Sequence, residues 1–155
     1  MKHLSFIFFC FTLLSTGVNA QTNDAAVQKN IDFTGATAPK KTYNAIFQLD
    51  SNDPKIIHKT IRNINNALND ERLKGKLHIE LIAFSGGTDA YLKGAEYEND
   101  LKDLVEKGVI VAQCNNTLKE RKITRDQLFN FIAVVPSGTG ELIIRQSQGW
   151  SVVKP

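Results

Sequence analysis

The chain has 155 residues and a formal net charge of +3, enough for one modest core and too little surplus positive charge for a nucleic-acid surface. The basic residues are scattered except for Lys119, Arg121, Lys122 and Arg125, which read either as a solvated helix face or as an anion-attracting patch beside a site. Two cysteines and three histidines, with no CxxC and no Cys/His pair at ligand spacing, exclude the common zinc sites, so no metal or cofactor is expected.

The N-terminus reads as a signal peptide. Lys2 and His3 precede an apolar run over 4–14 that is too short to span a bilayer, which takes roughly 20 residues. Val18-Asn19-Ala20 then offers a small-x-small cleavage site, so the mature chain is expected to begin at Gln21 and to be exported, periplasmic or secreted, without a stable membrane anchor. The competing reading is a buried N-terminal helix. Cys10 lies inside the apolar run and would leave with it, so the mature chain keeps Cys114 alone and forms no internal disulfide. His58 and His78 fall on different elements and read as structural.

Residues 21–42 are polar and small, without periodicity, and read as a flexible lead-in. A domain over 43–155 follows. The first strand is expected at 43–49, and Asp53-Pro54 as N-cap and first residue of a helix to about 68. Ile57, Ile61, Ile64 and Leu68 make its apolar stripe. A second strand, at 77–84, is apolar towards its end, as in strands covered on both faces. Ser85, Gly86 and Gly87 follow it, either as a tight turn that needs glycine or as amides offered to an anion.

A second helix is expected over 91–107, broken near Gly94 and stopped by Gly108, then a short strand at 109–112 that delivers Cys114 to its end. Asn115, Asn116 and Thr117 signal a helix start; they also match a glycosylation acceptor pattern, to which an internal helix start gives little weight. Thr124 and Gln127 fit a capping box at 124–129, and 131–135 reads as a strand stopped by Pro136. The segment 137–150 is ambiguous: Leu142-Ile143-Ile144 suits a strand, whereas Gly149 suits the end of a helix over 139–148, with a last strand at 150–154. Alternating strands and helices imply a three-layer α/β/α fold around a mostly parallel sheet of about five strands. Asp50, the Ser85 loop, Cys114 and Ser137 would then share the carboxyl edge of the sheet, where such folds hold ligands.

Three stretches, HIELIAFSGGTDAYLKG from His78, LVEKGVIVAQCNNTLKERKI from Leu104 and VVPSGTGELIIRQSQGWSVVKP from Val134, resemble the DsrE/DsrF-like family, YchN-type members included. Asp53-Pro54 followed by RNINNAL is similar to an exported branch of it. The resemblance implies a small α/β/α fold assembled as a homo-oligomer, a trimer or hexamer. It also implies sulfur relay through a cysteine persulfide passed between donor and acceptor proteins, with Cys114 at the acceptor position. Two rivals accompany the sulfur-carrier reading: a non-catalytic oligomeric module that binds a small ligand through Ser85, Gly86, Gly87, Asn115, Asn116 and Thr117, and a thiol redox protein. A nucleophilic Cys114 is expected to be accessible and more acidic than a free thiol, because helix amides would face the sulfur; the competing reading is a buried, inert cysteine at a strand end.

Overall fold

The computed structural model describes residues 20–155, so the signal peptide read at 1–20 lies, apart from Ala20, outside the described residues. The chain divides into two units at Ala36/Thr37. In the first unit, the stretch read as a featureless lead-in contains a helix, α1 (Ala20–Ile31). Its side chains from Asp24 to Ile31 are exposed. A helix that buries no face needs no apolar stripe, so periodicity had nothing to register.

The second unit carries five strands: β1 (Tyr43–Leu49), β2 (Leu77–Ala83), β3 (Ile110–Cys114), β4 (Ala133–Val135) and β5 (Ser151–Val153). All pairings are parallel, in the order β4-β3-β2-β1-β5. The connections from β1 to β4 step in one direction and the last returns to the far side of β1. Right-handed crossovers therefore place the last helix on the opposite face from the earlier ones. On the first face α2 (Pro54–Asn69), α3 (Glu98–Glu106) and α4 (Asn115–Arg121) cover Phe47, Leu49, Leu81 and Val111. On the second, Leu142 of α5 (Gly138–Ser147) packs with Trp150 over Ile46, Ile82 and Ala112.

The helix α2 forms where its signals put it. Asp53 Oδ1 accepts the Lys55 amide at 2.8 Å, Pro54 occupies the first turn, and Ile57, Ile61 and Ile64 are buried. Each such side chain removed from water contributes about 1.5–3 kcal/mol.

Three local expectations are corrected. The helix expected from 91 starts only at Glu98, because Ser85–Tyr91 coils as a 3₁₀ segment whose Ala90 and Tyr91 enter the core. Gly94, at φ +91°, ends that connection in a backbone conformation that favours glycine. The strand expected at 109–112 runs two residues further, so Cys114 belongs to β3. The ambiguous segment is helical: Ser137 Oγ accepts the Gly140 amide at 3.1 Å and Gly149, at φ +83°, stops α5. Among the described residues, no helix is long and apolar enough to cross a membrane.

Candidate functional site

Parallel strands bring their carboxyl ends to one edge, where Cys114 is both the last residue of β3 and the N-cap of α4. Val135 lies beside it on β4, and Pro136 turns the chain into α5, which begins at Gly138. A Cβ on Gly138 would lie 2.9 Å from the Phe84 ring and 3.2 Å from Cys114 Cβ. Only glycine brings the start of α5 this close.

The closeness has an electrostatic result. The amides of Gly138, Thr117 and Asn116 and the Thr117 hydroxyl lie on the side of the sulfur as donors that favour its thiolate. Burial pushes the Cys114 thiol up, and these donors together outweigh it, so its pKa lies below the ordinary thiol value. Dipoles supply this lowering rather than cations. Arg121, one of the cations expected to assist, instead donates to the Ser85 carbonyl at 3.0 Å and pairs with Asp89.

The expectation of an accessible thiol is not met: Cys114 is 5% exposed, between Phe84, Gly138 and α4. The strand delivers it towards α5 rather than to the rim. Thr117, buried like Cys114, also accepts the Ser85 amide at 3.1 Å. Ser85 holds φ +50°, a conformation that costs about 1–2 kcal/mol outside glycine; the bonds to Thr117 and Arg121 fix the two peptide groups on either side of its Cα.

The Ser85-Gly86-Gly87 loop is joined to Cys114 through Thr117. Its glycines have a steric reason: a Cβ on Gly87 would stand 2.1 Å from the Leu49 carbonyl, and one on Gly86 3.0 Å from the Asn52 amide. Of the three amides an anion cradle would offer, those of Ser85 and Gly87 already donate to Thr117 Oγ1 and the Phe84 carbonyl. Asn116 is exposed and its amide faces the sulfur; Asn115 lines a groove on the other side of α4. Asp50 is separate, bonded to Lys154 at 2.8 Å, which holds its carboxyl below the usual range. That pair stands between β1 and β5, where the strand order reverses, so Cys114 lies two strands from the topological switch point.

Sequence reasoning missed Gly138, Phe84 and Gln113. Buried Gln113 donates to Thr88 Oγ1 and to the Cys114 carbonyl, both at 3.0 Å. Pro136-Ser137-Gly138 was the available signal, since a glycine directly after an N-cap serine marks a close approach. Among the described residues, no three His, Cys, Asp or Glu side chains group as metal ligands.

The pattern of the DsrE/DsrF-like family matches residues 45–155, which hold all of the sheet but Tyr43 and Asn44 and include the Cys114 edge. The chain belongs to this family. The DsrE-type fold also appears in solved structures. MTH1491 of Methanobacterium thermoautotrophicum, a protein of unknown function, is 31% identical, with a TM-score of 0.69 over 73% of this chain and 99% of its own. The ychN protein from E. coli shares 16% identity, with a TM-score of 0.61 over 74% and 99% of the two chains. BT1422 of Bacteroides thetaiotaomicron, a conserved protein of unknown function, shares 11%, with a TM-score of 0.60 over 78% and 100%. The last two likenesses concern the fold alone. No curated protein matches the sequence.

Proposed function

We propose that this DsrE-like protein carries sulfane sulfur as a persulfide on Cys114. The observation that supports this most is that Cys114 ends β3 as the N-cap of α4 with Gly138, at the start of α5, packed against it, so that amide donors of two helix starts favour its thiolate. An inert core cysteine needs no such donors; a thiolate nucleophile does. In the loading step the Cys114 thiolate attacks the outer sulfur of a donor persulfide, R–S–SH. The bond from Cys114 Sγ to that sulfur forms, the donor S–S bond breaks, and R–S⁻ leaves with the electron pair. The acceptor protein's thiolate repeats the exchange, and no external oxidant or reductant is consumed.

Cys114 is 5% exposed, so an attacking donor reaches its sulfur only with some movement of the groups packed on it, among them Gly138. The same burial favours the second reading, a non-catalytic binding module, and one experiment separates the two. Intact-mass analysis after incubation with a sulfane-sulfur donor should show the addition of one sulfur atom that a thiol reductant removes and that Cys114→Ser does not acquire. A folded protein that gains no mass, with a thiol alkylated only after denaturation, would sink the carrier reading.

Export and assembly are part of the proposal. The apolar run and Val18-Asn19-Ala20 support cleavage before Gln21, and N-terminal sequencing of the exported protein that returned Met1 would refute it. A trimer or hexamer is supported by the second sheet face, where α5 leaves Ile110, Ile143, Ile144 and Val152 exposed. A monomer mass by light scattering at high micromolar concentration would contradict it.

A further inference from the structure

The basic cluster singled out in the sequence divides in the fold. Arg121 is engaged by Asp89 and the Ser85 carbonyl, and Arg125 donates to the carbonyls of Phe129, Asn130 and Ile132. Lys119 and Lys122 remain, exposed and, among the described residues, in no ion pair. Both line a groove of about 560 Å³ between α4 and β4. Its apolar lining comes from Ile123 and Val134 above the buried Leu118, with Thr124 as a polar neighbour. Lys122 sits there in a left-handed conformation, φ +54° and ψ +37°, at the C-cap of α4.

The strand beside the groove is the outermost of the sheet. β4 pairs with β3 alone, so its other edge offers backbone donors and acceptors without a strand partner. Val134 is 39% exposed and lies in register with Gln113, next to Cys114. An open edge, an apolar trough along it and two uncommitted ammonium groups are the requirements for adding a strand that alternates apolar and acidic residues. A small organic anion would satisfy the lysines and the trough and leave the edge unpaired.

We infer that the α4/β4 groove is a docking site for an extended, acidic segment of a partner protein, added as a sixth strand alongside β4. Its apolar side chains rest on Ile123 and Val134, and its carboxylates meet Lys119 and Lys122. The groove holds its ligand without Cys114, so the inference stands apart from the persulfide. If both hold, docking brings the partner to the edge where Cys114 ends β3.

The test uses the purified protein and a short fluorescein-labelled synthetic peptide alternating Glu and Val, with blocked termini, followed by anisotropy. Saturable binding that weakens with added salt is expected, as is a loss of about tenfold or more in Lys119→Glu/Lys122→Glu with an unchanged circular dichroism spectrum. A Lys/Val peptide should not bind, and N-methylating alternate amides of the Glu/Val peptide should abolish binding. Cys114→Ser should bind as wild type does, which separates failure here from failure of sulfur loading. Absence of saturable binding, equal binding by the charge-reversed variant, or equal binding of the N-methylated peptide would overturn the inference. The last outcome would indicate a small-anion site in place of strand addition.

Discussion

Gly138 controls how close the first amides of α5 come to Cys114. A methyl group there meets the Phe84 ring at 2.9 Å and Cys114 Cβ at 3.2 Å, so the start of α5 must retreat or the ring must turn. Retreat withdraws the Gly138 amide, the first of the hydrogen bonds that lower the thiol pKa. Gly138→Ala should therefore raise the pH at which alkylation of the folded protein has its inflection. An unchanged inflection would mean that the amides of α4 alone set the acidity. A second consequence concerns stability. Because the folded pKa lies below the unfolded one, the thiolate adds stability above the ordinary thiol pKa and loses it as pH falls through the folded value. Denaturant midpoints of wild type should thus rise relative to Cys114→Ser as pH increases through that window. A constant difference between the two across it would contradict the assignment.

Elements were legible in proportion to how local their signals were. The helix α2 carries an N-cap, an N1 proline and an isoleucine stripe within its own residues, and its start matches expectation. Asp53→Ala should cost ~1 kcal/mol, read as a lower unfolding midpoint; no change would mean that the bond to the Lys55 amide contributes nothing. Thr124 and Gln127 make the anticipated capping box, with Gln127 Oε1 accepting the Thr124 amide at 2.8 Å. Ser85–Tyr91 was missed because its 3₁₀ winding is imposed from outside, by glycines fitting against the end of β1 and by Tyr91 entering the core. The candidate site divides similarly. Cys114 with Asn116 and Thr117 could be read from adjacent positions, whereas the contribution of Gly138 depends on a pairing between β3 and β4 that no local pattern encodes. The burial of the sulfur was invisible for the same reason, since Phe84 and Gly138 arrive from other strands' ends.

For the whole molecule, the second sheet face holds its polar interior in one cluster. Glu80, 1% exposed at its side chain, accepts from Arg145 at 2.7 Å; Arg145 also pairs with Glu141 at 3.0 Å and stacks 4.3 Å above the Trp150 ring. Burial raises the Glu80 pKa, and Arg145 offsets part of that rise. Arg145→Met removes the partner and leaves a buried charge, which should destabilise the fold by about 3 kcal/mol near neutral pH. The native carboxyl would then hold its proton more tightly than the unfolded one, so the deficit should shrink as pH falls towards the acid range. A deficit independent of pH would show that packing on Trp150, and not the charge, carries the effect.

The position of β5 has a consequence for how the chain becomes a protein at all. Its three residues pair with β1, the first strand, through Ala45 with Ser151 and Phe47 with Val153, and Lys154 closes on Asp50. A ribosome extends a chain from its N-terminus, so β1 stays an edge strand with one open flank until β5 has been made. The sheet is thus completed only by its last-made strand, and a variant truncated before Ser151 would keep β1 as the exposed edge of a four-stranded sheet.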